Sequence, residues 1–215
     1  MLALTTDIDL KRGVINVLVL NTRYDWLKVI IDFVHPKKIA EIGVHNGARA
    51  WRMCEWAGVH SKEIEYWGFD LWELLEDHKE VYNGKGPSHK ALAERELRRV
   101  TNTAVKTYLI QGDHETTVPE GFRSDLVFID GDHRTFAIQR DYDRVKSSKV
   151  IVFDDHYSPE VEGMGANKVI VDHSYCCLLP SGDREKFSSA TNRFMVATDN
   201  AALHNHLIRL GAEQC

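Results

Sequence analysis

No apolar run in the sequence approaches the ~20 residues that a membrane-spanning helix needs. Met1 to Arg12 carries Asp7 and Asp9 where a secretion signal would be basic, and no long apolar core follows. A basic excess is missing too: 27 Lys and Arg face 32 Asp and Glu, a formal net charge of -5. That balance argues against a protein that holds nucleic acid mainly by its phosphates. The one locally basic stretch, Glu94 to Arg99, is mixed in sign and reads as a solvated helix face. Neither a CxxC pair nor an internal repeat nor a low-complexity segment is present. The four cysteines are Cys54, Cys176, Cys177 and Cys215. Cys176 and Cys177 are adjacent in a segment that alternates like a strand, so they point to opposite faces. All four are expected as reduced thiols of a cytoplasmic protein.

What is present is 215 residues with 43% hydrophobic content, one domain's worth of chain and enough apolar side chains for a sizeable core. In Tyr24 to Val34 the apolar residues Trp26, Leu27, Ile30, Ile31 and Val34 recur at helical spacing, and Pro36 ends the run. Residues 1–35 are therefore expected as an N-terminal helical segment before a domain of residues 36–215. Short apolar runs follow at 38–43, 66–70, 107–111, 126–130, 150–154, 168–171 and 193–197. Helical stretches separate them at 48–56, 89–100 and 136–145, and a last helix over 201–210 stops at Gly211. This alternation is the pattern of a parallel α/β sheet. The stretch Trp72 to Lys106 exceeds a simple crossover helix and is expected as an insertion near the binding edge. Gly13 to Leu20 is very apolar for a terminal segment, so it is expected to pack on its own sheet or on a second copy in a homodimer.

Several of the runs end in acid: Asp70, Asp130 and Asp154 with Asp155, while Gly112-Asp113 follows the third. In an open parallel sheet the carboxyl ends of the strands share one edge, and ligands bind there. Glu41-Ile42-Gly43-Val44-His45-Asn46-Gly47 is a strand running into a glycine-punctuated turn and a helix, whose first N–H groups face a ligand. It is neither the GxGxxG of dinucleotide binders nor a P-loop. Glu41 would repel a pyrophosphate and suits a zwitterion better. Asp70, ending the second run, is placed to accept the two hydroxyls of a ribose. Asp130-Gly131-Asp132-His133 and Asp154-Asp155-His156 bring four carboxylates and two imidazoles to neighbouring strand ends. Such a cluster is stable only with a cation or shared protons. Mostly oxygen ligands favour a hard ion such as Mg²⁺.

Taken together, Glu41 to Gly47, Asp70, Gly112-Asp113, Val127 to His133 and Val152 to Asp155 resemble class I S-adenosylmethionine (SAM) dependent methyltransferases. The FIDGDH stretch is the sharpest match, and it is similar to the macrocin O-methyltransferase-like subgroup. The resemblance implies a Rossmann-like, doubly wound, seven-stranded sheet with its last strand antiparallel. It implies SAM as cofactor, with Glu41, Gly43 and Gly47 at the methionine part, Asp70 and Asp130 along the cofactor, and Asp113 with His114 at the adenine. It implies a divalent ion, Mg²⁺ or a relative, on Asp130, Asp154 and Asp155, with Asp132 or His133 as general base. The expected activity is methyl transfer to a hydroxyl of a small-molecule acceptor, with the insertion, Trp72 and Tyr82 included, flanking the acceptor pocket. A metal-independent methyltransferase and a non-catalytic SAM- or nucleotide-binding module are the alternatives. Neither nucleic acid nor membrane is an expected partner.

Overall fold

The computed structural model describes residues 3–9, 14–20, 22–77, 88–184 and 191–215. Strands β1 (Ala3–Asp9) and β2 (Val14–Leu20) pair antiparallel as a separate two-stranded sheet. Helix α1 (Asp25–Val34) follows. The described residues of this segment thus form two strands and a helix, where the sequence pattern predicts a helical segment. The expectation of a homodimer rested on 13–20; Gly13 lies outside the described residues, and Val14 to Leu20 form β2.

The main unit runs β3 (Lys38–Ile42), α2 (Ala48–Gly58), β4 (Glu63–Asp70), α3 (Lys90–Leu97), β5 (Ala104–Gln111), α4 (His114–Thr117), β6 (Leu126–Ile129), α5 (Thr135–Val145), β7 (Val150–Ser158), β8 (Tyr175–Arg184), β9 (Thr191–Thr198), α6 (Ala201–Arg209) and β10 (Glu213–Gln214). These strands form one sheet in the order β10-β8-β9-β7-β6-β3-β4-β5. The five strands β7-β6-β3-β4-β5 are parallel, and β9 runs antiparallel between β7 and β8. The fold is α/β and Rossmann-like, as expected, with eight strands in place of seven. The extra strand is β10, two residues paired antiparallel with β8.

That pairing also corrects the cysteine reading. Gln214 lies opposite Cys177, and Cys215 N–H donates to the Cys176 carbonyl at 3.2 Å. The two sulfurs are thereby brought together as a Cys176–Cys215 disulfide, in place of two thiols. Cys177 turns to the other face and is buried, as alternation along a strand requires. The run expected at Lys168 to Val171, or on towards Cys177, is a strand only in its last part. Ala166–Lys168 is a 3-10 turn, and strand geometry begins at Tyr175.

Each face of the sheet has its own core. Along β6, Leu126 and Phe128 join the cluster under α1, α2 and α6, while Val127 and Ile129 join the one under α5. Along β7, Val150 and Val152 go to the first and Ile151 and Phe153 to the second. Strands buried on both faces read as continuous apolar runs, which is why these two were legible in the sequence. The chain proceeds outward from β3 to β5 and then returns to place β6 on the other side of β3. The crevice at that reversal is where open α/β sheets bind ligands. Among the described residues no helix is long and apolar enough to cross a membrane.

Candidate active site

At the reversal, Gly43 takes φ +90° and Gly47 φ +81°. A Cβ on Gly43 would lie 2.1 Å from the Asp130 carbonyl oxygen, so only glycine lets the β3 turn pass beneath the β6 turn. Gly47 serves packing: a Cβ there would lie 2.6 Å from Ala93 Cα of α3. Asp70 braces the glycine turn. One carboxylate oxygen accepts the His45 N–H and the other the Trp72 N–H, each at 2.7 Å. The buried Trp72 ring donates its Nε1–H to the His45 carbonyl at 2.9 Å. Trp72 therefore supports the turn from behind, while Leu71 and Leu75 reach the crevice. Tyr82 lies outside the described residues.

The crevice is a cavity of about 330 Å³. Among the expected site residues Gly43, Asp70, His114, Asp130, Asp132 and His133 line it, together with Arg49. Asp113 instead caps α4, its carboxylate accepting the Glu115 N–H at 2.8 Å. His114 faces Asp141 of α5, Nδ1 to carboxylate oxygen 3.5 Å. Burial would lower the His114 pKa, but the Asp141 charge reverses the effect and holds the imidazole above its ordinary value.

Glu41 lies in the core beside the cavity, 1% exposed, accepting a 2.5 Å hydrogen bond from the Tyr66 hydroxyl. Burial pushes its carboxyl up to about 8, against the lowering effects of Tyr66 and Arg49. The native state thus keeps this proton at pH values where the unfolded chain has released it. Its contribution to stability is fully present below the ordinary carboxyl value of 4.5 and declines as pH rises to about 8. Glu41→Gln keeps the acceptor for Tyr66 and removes this penalty. We expect unfolding free energies from urea titration to be higher for the variant than for the parent at pH 8, by about a few kcal/mol, and to converge near pH 4.5. An equal difference at both pH values would show that the carboxyl does not titrate as described.

The strand-end acids divide between the two faces. β7 continues to Ser158, so Asp154 and Asp155 are consecutive residues within a strand. Asp154, 1% exposed, turns toward α1 and meets Arg23, Nε to Oδ1 2.8 Å and Nη2 to Oδ2 3.1 Å. Burial alone would raise its pKa, yet the Arg23 and Arg49 charges hold it well below the usual carboxylate range. Asp130, on the same side, meets Arg49 Nη2 at 2.6 Å. Asp155 turns to the other side and takes His133, Nδ1 to Oδ2 2.5 Å. The second Asp155 oxygen accepts from Asn192 Nδ2 at 2.7 Å and from the Tyr157 hydroxyl at 3.2 Å. Asp132 is tied to Arg134, accepting its N–H at 3.0 Å and its guanidinium at 2.8 Å. His156 is half-buried near Asn167, and burial together with Arg193 lowers its pKa.

The ion expected on Asp130, Asp154 and Asp155 does not fit this arrangement, because Arg23 and Arg49 already hold two of the three carboxylates. Ligand atoms of Asp130, His133 and Asp155 do lie within 4.8 Å of one another. An ion among them would share Asp130 with Arg49 and Asp155 with His133. Arg23, Tyr24 and Arg49 are the site residues that sequence reasoning missed. No local pattern signalled them, because their carboxylate partners lie far off in the sequence and Asp154 sits where the register of β7 is irregular.

No family model matches the chain, and no curated protein matches it by sequence. Solved structures match by shape. An O-methyltransferase from Bacillus cereus in complex with SAH aligns with 84% of this chain and 82% of its own, at TM-score 0.51 and 17% identity. Cofactor-bound Rv0187 from MTB aligns with 84% of this chain and 81% of its own, at 0.54 and 18%. Spermidine synthase from Thermotoga maritima aligns with 96% of this chain and 72% of its own, at 0.50 and 11%. These likenesses show a Rossmann-like methyltransferase fold, and a fold alone does not fix an activity.

Proposed function

We propose, from the premise of that fold, that the chain is a SAM-dependent methyltransferase acting on a hydroxyl of a small-molecule acceptor, with His133 as general base. The observation that carries the reading is that His133, backed by the buried Asp155, lines the same cavity as the Gly43 turn and Asp70. A bound SAM supplies an electrophilic methyl group on a sulfonium. The cavity volume falls in the range of small-ligand sites. The turn over Gly43 to Asn46 offers backbone groups at the start of α2, and Asp70 stands at the rim as an acceptor for ribose hydroxyls.

His133 donates Nδ1–H to Asp155, which makes Nε2 the basic nitrogen of the neutral ring. With SAM and a hydroxyl acceptor bound, Nε2 would take the proton that the acceptor loses on methylation. Asp155 then balances the imidazolium charge. Asp155 is itself fixed by Asn192 and Tyr157, so the base is presented in one orientation. Asp132 is the weaker candidate because Arg134 neutralises it. The FIDGDH stretch that contains His133 also supports membership of the macrocin O-methyltransferase-like subgroup.

A divalent-ion variant of the reading draws on the 4.8 Å grouping of Asp130, His133 and Asp155. In that case chelator abolishes transfer and Mg²⁺ restores it, with SAM binding intact. Calorimetry with SAM tests the shared premise. Asp70→Ala is expected to weaken binding about 10- to 100-fold, the size of a lost hydrogen-bond pair to a charged group. Unchanged affinity in a folded variant would remove the ribose assignment.

A further inference from the structure

The side of the sheet that carries Asp130 and Asp154 holds two guanidinium groups where the family resemblance calls for an ion. Arg23 precedes α1 and grips Asp154 with two nitrogens, at 2.8 and 3.1 Å, one on each oxygen. Arg49, in the first turn of α2, reaches Asp130 at 2.6 Å. The Tyr24 hydroxyl lies between them. It accepts from Arg23 Nη2 at 2.9 Å and from Arg49 Nη2 at 3.0 Å, and it donates to Asp154 Oδ2 at 3.3 Å. Its ring also lies under both guanidinium carbons, at 4.8 and 4.2 Å. The result is a single network that joins the start of α1, the start of α2, the end of β6 and the middle of β7.

We infer that Arg23 and Arg49 supply at this site the positive charge that a divalent ion would supply, so that the chain works without a metal. The reaction named here rests on the methyltransferase reading; the charge replacement rests on the geometry alone. The charge balance supports it. Arg49 offsets Asp130 and Arg23 offsets Asp154. Asp155 is reserved for His133, which becomes cationic when it takes a proton. No carboxylate of the cluster is left for an ion to neutralise. Burial strengthens the argument. Asp130 is 8% exposed, Asp154 1% and Asp155 4%, so an entering ion would have to compete with these pairs in a region of low dielectric, where they are hard to replace. Arg49 also lines the cavity, so its charge borders the point where an acceptor oxygen would turn negative as its proton leaves.

The test is a titration of the full chain with Mn²⁺, followed by electron paramagnetic resonance, in which bound ion loses the six-line signal of the aquo ion. The parent protein is expected to leave the signal at full height. Arg49→Met and Arg23→Met, each of which removes one guanidinium from its carboxylate, are expected to gain a saturable site that Mg²⁺ competes for. Stoichiometric Mn²⁺ binding by the parent, abolished by Asp155→Asn, would overturn the inference. So would two folded variants that both fail to bind Mn²⁺. If neither variant folds, the parent titration still decides. SAM calorimetry on the parent is read separately: no SAM binding, with no Mn²⁺ binding, removes the methyltransferase reading and leaves the charge replacement standing.

Discussion

His133→Gln is expected to lower kcat for methyl transfer by about 10²- to 10⁴-fold, the usual contribution of a positioned general base, with SAM affinity almost unchanged. Glutamine is close in size and keeps a donor toward Asp155, so the cavity wall survives while the proton acceptor is lost. The companion change Asp155→Asn separates base strength from mere shape. It keeps the contacts with Asn192 and Tyr157 within reach but removes the charge that stabilises the imidazolium. We expect a large fall in kcat with little change in KM, and a pH profile that loses its acidic limb in His133→Gln. The measurement is transfer of labelled methyl from SAM to a panel of phenols and sugars, followed over pH. A His133→Gln enzyme with the parental rate would mean that the hydroxyl loses its proton elsewhere, and Asp132 would become the group to test.

The second large effect concerns stability. Gly43→Ala places a methyl carbon 2.1 Å from the Asp130 carbonyl oxygen, 2.4 Å from its carbon and 2.6 Å from Gly131 Cα, all backbone atoms. Relaxation is blocked on both sides. Gly43 N–H is bonded to the Phe69 carbonyl at 2.9 Å, and Asp130 N–H to the Ile42 carbonyl at 2.8 Å. The φ of +90° adds strain of its own. A loss of more than about 3 kcal/mol, or failure to fold, is expected. Gly121→Ala is the control. Its φ is +71°, but nothing lies within 4 Å of the added carbon, so only the backbone strain of about 1–2 kcal/mol applies. Equal urea midpoints for the two variants would show that the β3 and β6 turns are not packed against each other as described.

The sheet, and the acids that follow its apolar runs, were legible in the sequence. Apolar runs such as Leu126 to Ile129 are buried on both faces, and that burial writes itself as uninterrupted hydrophobicity. Helices such as α1 and α6 announce themselves by one apolar stripe and a defined end, Pro36 after the first and Gly211 after the second. The strand-end position of Asp70 and the glycine turn were legible for the same reason, since a strand's end is a local property. Partners were not local. Arg23 and Asp154 are 131 residues apart, and His133 lies in the loop after β6 while Asp155 lies within β7. Which acid meets an ion, a guanidinium or an imidazole depends on which face each residue takes. That in turn depends on where β7 stops. It continues to Ser158 with a register irregularity between Phe153 and His156, and there Asp154 meets Arg23 while Asp155 meets His133. The Cys176–Cys215 bond was hidden in the same way, because it follows from a two-residue strand pairing with β8 across 39 residues of chain. Composition and periodicity specify which face of an element is buried; only the closed sheet decides which side chains from distant elements arrive at the same point and compensate one another's charge.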